Sequence, residues 1–331
     1  MTARLNPLAL LAATASLLLA LTACGSSDGT GTDAAGDAAA SGAYPVKITT
    51  KFGDVTVEER PERVVALGWG DAETALALGV QPVGQSDWLE FGGDGVGPWV
   101  TQKYDESPEK IGTLEPEYEK IASLRPDLIL DVKSSGDAGR YDLLSKIAPT
   151  VAVPEGGDSY KTTWTKQTQM IAEALGVPDK GAKLIAGIDA KFAAAREEHP
   201  EFKGKTISLG SRTSGGYGGY VKGTDRVAFV ESLGFENNPK IDAAAGKNFS
   251  IEIARENLGI LDADLVVMTA IGLEPAQISG DPLYKAVPAV RDGRSIVFDD
   301  KNISNAFATN TPLSIGYAID KVVPLFAEKI K

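Results

Sequence analysis

At 331 residues the chain can build two lobes with cores of their own, and 43% hydrophobic with 24% charged residues is the balance of a water-soluble globular protein. A formal charge of -12 lacks the basic footprint of a nucleic-acid partner. One cysteine and one histidine exclude a disulfide framework and a His-rich or Cys-rich metal site.

Arg4 is the only charge before an apolar stretch from Leu8 to Leu21, and small residues then lead to Cys24. These are the three regions of a secretory signal, too short and too weakly flanked for a transmembrane helix. Leu21-Thr22-Ala23-Cys24-Gly25 resembles the bacterial lipoprotein processing box. The resemblance implies a signal peptide over 1–23 and acylation of Cys24. Two or more acyl chains anchor stably where one does not. The alternative for Cys24 is a lone thiol. Residues 25–43 are only Gly, Ala, Ser, Thr and Asp, so 24–44 reads as a flexible tether.

An N-terminal α/β lobe is expected over 45–178. Val46 to Val57 alternates around Gly53-Asp54, which predicts a hairpin. Arg63 to Leu67 reads as a short buried strand. Asp71 can cap a helix that ends at Gly79, and Val80 to Gly84 begins the next strand. A helix and strand follow through Val132, then a helix over Arg140–Ile147, extended chain over Pro149–Pro154 and a helix over Lys161–Leu175. Strands alternating with helices predict a largely parallel sheet, open to ligand at its carboxyl ends.

A helix over 179–199 carries Leu184, Ile185, Ile188, Phe192 and Ala195 on one face. About 20 residues span about 30 Å, the length of a bar between two lobes. The plainer alternative is an ordinary helix of one larger domain. A C-terminal α/β lobe is expected over 200–331. It starts at the strand Thr206–Leu209, followed by a glycine-rich loop, and a helix over Val227–Leu233 ends at Gly234. After a strand at Ser295–Phe298, a last helix from Pro312 contains or breaks at Pro324.

A glutamate-led helix running into a buried strand occurs once in each half. The first copy is Tyr118-Glu119-Lys120-Ile121 through Pro126-Asp127-Leu128-Ile129-Leu130. The second runs from Ile251-Glu252-Ile253 through Asp264-Leu265-Val266-Val267. Two copies imply two similar lobes around a cleft. Glu119 and Glu252 would suit a helix dipole on their own account.

Aromatic residues gather where strands are expected to end: Trp69, Trp88, Phe91, Trp99, Tyr160, Trp164, Tyr217, Tyr220 and Phe307. Such a cleft suits a bulky, partly apolar ligand, although each ring alone could simply pack its loop. Lys133, Arg140 and Arg212 are the cationic candidates, because a guanidinium forks the oxygens of a metal chelate. Arg212, among glycines, is the first choice, and Asn305 and Thr309 can add neutral hydrogen bonds.

No enzymatic constellation is present. Gly68-Trp69-Gly70-Asp71-Ala72-Glu73 has Glu where a dinucleotide loop needs its third Gly or Ala, and Asp71 would face a phosphate. GxSxG and GxxxxGK[ST] are absent, and His199 at a helix end is badly placed for a triad.

The order of Pro61-Glu62-Arg63-Val64-Val65, Leu78-Gly79-Val80, Pro126 to Leu130 and Ser250-Ile251-Glu252 resembles the substrate-binding proteins of ABC importers for ferric siderophores and cobalamin. Lys51-Phe52-Gly53, Asp131 to Tyr141 and Ser304-Asn305-Ala306-Phe307 are similar to its actinobacterial iron-siderophore branch. The resemblance covers about 45–331. It implies the class III fold, two Rossmann-like lobes joined by a single long helix that restricts closure to a few degrees. It also implies Glu119 and Glu252 docking onto arginines of a permease driven by its ATPase. The expected protein is an extracytoplasmic, lipid-anchored monomer that carries a ferric siderophore, needs no cofactor and leaves the iron to its chelator. A cobalamin or haem carrier of the same fold is the alternative.

Overall fold

A computed structural model describes residues 44–112 and 114–330. The expected signal peptide, Cys24 and nearly all of the tether lie outside the described residues. Strands β1 (Val46–Thr50) and β2 (Gly53–Val57) form the expected antiparallel hairpin, and Gly53 turns it at φ 106°. A side chain is disfavoured at that φ, and glycine is not.

The first sheet contains β3 (Val64–Ala66), β4 (Gly84–Ser86), β5 (Glu109–Ile111), β6 (Leu128–Leu130) and β7 (Thr150–Val151). Its order is β5-β4-β3-β6-β7, with every pair parallel. Val64 and Ala66 face one core while Val65 and Leu67 face another, as the two-residue period of a strand requires. Both faces are covered by helices, so the central strands β3 and β6 are apolar throughout, whereas β4 and the edge strand β5 carry polar residues. The covering helices are α1 (Asp71–Ala77), α2 (Tyr118–Ser123), α3 (Ala138–Leu144) and α4 (Trp164–Ala174). The chain winds outward from β3 to β5, then returns to β6 on the other side. That reversal places the sheet's crevice beyond the ends of β3 and β6.

Helix α5 (Pro178–Glu198) has 21 residues, about 30 Å, and opens on a proline, whose missing N–H costs nothing there. Ile188, Phe192 and Ala195 on its buried face join a core drawn from both halves of the chain.

The second sheet holds β8 (Thr206–Thr213), β9 (Gly216–Tyr220), β10 (Glu236–Asn237), β11 (Ser250–Ile253), β12 (Leu265–Ala270) and β13 (Ser295–Val297). β8, β12 and β13 run parallel in the order β11-β9-β8-β12-β13, and β10 pairs with the start of β8. β9 and the edge strand β11 are antiparallel additions. Helices α6 (Asp225–Ser232), α7 (Pro239–Ala243), α8 (Ala276–Ser279), α9 (Pro282–Lys285), α10 (Pro288–Arg291), α11 (Lys301–Thr309) and α12 (Pro312–Ala327) complete it. The fold is therefore α/β, with two Rossmann-like sheets and one long connecting helix.

Three expectations change. The second glutamate-led segment is not a helix: Ile251 and Ile253 alternate with Ser250 and Glu252 to make β11, and a 3₁₀ turn over Arg255–Leu261 follows. The glycine-rich loop after Leu209 is instead a hairpin, with Tyr217 and Tyr220 in β9. Phe307 lies within α11, not in a loop. Proline at 324 sits inside α12 without ending it.

Among the described residues, polar contacts pin the two halves at three places. Lys133 Nζ meets Asp225 Oδ2 at 2.5 Å, Thr311 Oγ1 donates to Glu73 Oε2 at 2.8 Å, and Lys161 Nζ donates to Lys247 O at 3.0 Å. Gly70 leaves room for the second of these. A Cβ there would lie 2.6 Å from Thr311 Cγ2, at a φ of 79°.

Candidate ligand-binding site

Three rings stack at the mouth of the first sheet. Trp69 lies between Trp88, at 4.3 Å and 6°, and Tyr160, at 3.9 Å and 19°. All three are half-buried. Trp69 follows β3, Trp88 follows β4, and Tyr160 is held against the end of β6, its N–H donating to Ser134 O at 2.9 Å. Ser159 and Tyr160 have φ of 56° and 62°, a region that bulky residues enter only when their surroundings impose it. Lys51 imposes part of it from the hairpin tip, donating to Gly136 O at 2.9 Å and pairing with Asp158.

Trp69 is fixed from behind. Its N–H donates to Lys133 O at 2.8 Å, and Gln167 Nε2 donates to Trp69 O at 2.8 Å and to Asp71 Oδ1 at 2.6 Å. Asp71 Oδ2 accepts from Val132 N at 2.8 Å. Burial pushes the Asp71 carboxyl up to about 6 against these hydrogen bonds. Asp71 is a strut beneath the rings, not the cap expected of it, since Gly70 holds the cap position. Trp69 Nε1 is buried without a hydrogen-bond partner among the described residues, an unspent donor beside the crevice.

The expected cations are engaged elsewhere. Lys133 is buried against Asp225. Arg140 Nη2 and Nε meet Asp131 Oδ1 at 2.6 Å and Oδ2 at 3.1 Å, a buried bidentate pair. Burial raises the carboxyls of both Asp131 and Asp225, and their cationic partners oppose the rise. Arg212 Nη1 contacts the Tyr217 hydroxyl at 3.2 Å, Gln277 O, and Asp281 Oδ2 at 3.8 Å. Arg255 binds the same Asp281 through two bonds of 2.8 Å and holds its carboxyl well below the usual range. Burial, then Asp281, pushes the Tyr217 hydroxyl up to about 12. Arg212 and Tyr217 thus form a closed cluster in the second lobe.

Phe307 is 2% exposed and packs edge-on against Phe229 and Phe298, so its ring belongs to the core. Thr309 is buried and donates to Asn305 O at 2.8 Å. Asn305 is half-buried and lines a depression of about 430 Å³ with Phe91, Tyr104, Lys103 and Lys301. Tyr220 is buried, and the Arg226 guanidinium lies over its ring at 4.4 Å. Sequence reasoning missed Arg226. Its only signal was position, in the first turn of the helix whose neighbour Asp225 crosses to Lys133.

Glu119 is exposed in the first turn of α2. Glu252 is exposed on β11 and lines a depression of about 360 Å³ with Asn248, Asn257 and Ile260. Among the described residues no three His, Cys, Asp or Glu side chains are grouped to hold a metal ion, and no helix is long and apolar enough to cross a membrane.

The family model described as "Periplasmic binding protein" matches residues 64–302. The chain belongs to that family. Its members bind and carry; they are not enzymes. A probable siderophore-binding lipoprotein, YfiY of Bacillus subtilis, is 28% identical over 300 residues, covering 86% of this chain and 87% of its own. A periplasmic solute binding protein from Mycobacterium smegmatis superposes with a TM-score of 0.75 at 30% identity, covering 86% of this chain and 99% of that one. Streptococcus pneumoniae PiaA in complex with ferrichrome gives 0.72 at 28% identity, covering 86% and 98%. Resemblance to the family's siderophore branch is thereby confirmed.

Proposed function

We propose that this chain captures a ferric siderophore between its two lobes and delivers it to an ABC importer, held at the outer face of the cell membrane by lipid on Cys24. The Trp88–Trp69–Tyr160 stack carries the reading. Three parallel rings at a switch point of the sheet offer a broad apolar wall, and a chelate's organic backbone can lie against it. The stack's indole N–H, which has no hydrogen-bond partner among the described residues, can supply a polar anchor for an iron-bound oxygen. YfiY and the PiaA–ferrichrome complex support the same ligand class. The long α5 and the three pins between the halves favour small closure on binding, so the permease would read the paired lobes much as they stand.

Delivery would use Glu119 and Glu252, one exposed carboxylate per lobe, against guanidinium groups of the permease. The test of capture is titration with a panel of ferrated hydroxamate, catecholate and carboxylate chelators, read by tryptophan fluorescence. At least one should quench at submicromolar concentration, because Trp69 and Trp88 would stand beside an iron centre. Silence across the panel would end the proposal.

A further inference from the structure

The second sheet leaves its β11 edge open. β11 pairs with β9 on one side only, Ser250 opposite Tyr220 and Glu252 opposite Gly218. One step before Ser250, the Val221 N–H donates to Phe249 O at 3.4 Å. Every second residue of an antiparallel strand bonds across, so Phe249, Ile251 and Ile253 face β9. Ser250 and Glu252 turn their N–H and C=O groups outward, where they meet no partner among the described residues. Such edges are ordinarily blunted. β5, an edge of the first sheet, carries Glu109 and Lys110, and Lys120 Nζ donates to the Lys110 carbonyl at 2.6 Å. β11 has no lysine, proline or bulge, and Ser250 to Ala254 form one wall of the depression of about 360 Å³. At about 3.3 Å per residue that wall is about 17 Å long, room for an added strand. Glu252 is the one charged side chain lining the depression, and it forms no ion pair among the described residues.

We propose that β11 accepts an added strand: an extended basic segment of the permease pairs along Ser250–Glu252 and sets a cationic side chain against Glu252. This rests on the delivery role proposed above and gives it a mode. The outward main-chain groups of Ser250 and Glu252 supply attachment open to any extended segment, and the Glu252 carboxylate selects a basic one. A second copy of this chain is disfavoured, because it would bring its own Glu252 and a formal charge of -12 to the same groove. Glu119, in the first turn of α2, has only its side chain to offer, so the two lobes dock by different means.

The experiment expresses full-length Ser250→Pro, Ser250→Ala and Glu252→Gln in cells lacking their own copy and measures iron uptake from the ferrated chelator panel. Proline at 250 removes an outward N–H, breaks no bond to β9 and keeps the carboxylate at 252. Ser250→Pro should lower uptake about 10-fold, as should Glu252→Gln, while Ser250→Ala, which keeps the N–H, should transport several-fold better than Ser250→Pro. Chelate affinity and near-ultraviolet dichroism of the purified proteins should stay the same, which separates lost docking from lost fold. Wild-type transport by Ser250→Pro beside failure of Glu252→Gln would overturn strand addition and leave carboxylate docking intact. Wild-type transport by both would remove docking through this lobe altogether. Where Ser250→Pro does not fold, a benzophenone side chain placed at the exposed Asn257, beside the depression, reports instead. Irradiated cells should yield an adduct with a permease subunit, and an adduct with a second copy alone, or none, would overturn the proposal.

Discussion

Lys133 and Asp225 meet at 2.5 Å across the seam between the two sheets, and the lysine side chain is 2% exposed. A buried pair of this kind adds little over a well-packed apolar pair, but either partner alone is a buried, uncompensated charge. Lys133→Met should therefore lower stability by about 3–5 kcal/mol, and Lys133→Met with Asp225→Leu should recover most of that. Urea denaturation of the wild type and both variants measures it. Equal losses in the single and double variants would show that the pair is not what couples the halves.

Asp71 should make stability fall as pH rises. Its folded-state pKa, about 6, lies above the ordinary 3.8, so between these values the folded protein holds a proton that the unfolded chain has released. A shift of about two units corresponds to about 3 kcal/mol, present below the lower value and gone above the upper. In Asp71→Asn this dependence disappears. The stability difference between variant and wild type should change by that amount from about pH 4 to about pH 7. A constant difference would mean that Asp71 titrates normally.

Asp281 has the opposite sign. Its carboxyl, bound by Arg255, Tyr217 and the Leu283 N–H, is held below the usual range, so its contribution is full above about pH 4 and is lost as the pH falls further. Asp281→Asn should cost about 2–3 kcal/mol at neutral pH, and the cost should shrink in acid. Chemical denaturation at several pH values reads this directly.

Tyr160 holds its stacking position at a φ of 62°. Tyr160→Ala keeps the backbone strain and loses the ring, whereas Tyr160→Gly loses both. The glycine variant should be more stable than the alanine variant by about 1 kcal/mol, although both bind ligand poorly. Thermal melting decides the ranking, and alanine coming out ahead would refute strain at this position.

Glu119→Ala with Glu252→Ala should leave chelate affinity unchanged and reduce uptake by whole cells. The two carboxylates are exposed and form no ion pair among the described residues, so their loss costs the fold little. Undiminished transport would remove the docking role.

Much of the frame was legible in one dimension. The hairpin turned at Gly53, the apolar runs at Val64 and Leu128, and the helix opened by Pro178 carry their signals locally, as turn, burial and capping preferences. The stack was half legible. Trp69, Trp88 and Tyr160 were readable as rings at strand ends, but their mutual order depends on a strand sequence that runs outward and then reverses. Glu252 was misread because Ser250-Ile251-Glu252-Ile253 satisfies a strand's two-residue alternation and begins like a capped helix, and pairing with β9 decides between them. Phe307 was misplaced because α11 begins at Lys301 under an Asp300 cap and draws the ring inward. Arg140 and Arg212 showed their charge in the sequence but not their partners, which lie 9 and 69 positions away at Asp131 and Asp281. Arg226 had the reverse problem: nothing adjacent marks it, and Tyr220, whose ring its guanidinium covers, lies on a separate element.

The terminal helix has a consequence for how the molecule comes apart. Thr311, at the head of α12, and the Trp99 indole share the buried carboxylate of Glu73. A segment of the second half thus completes a polar knot begun in the first. Heating should dissolve both halves in a single calorimetric transition, since the core shared between them and that knot are lost together.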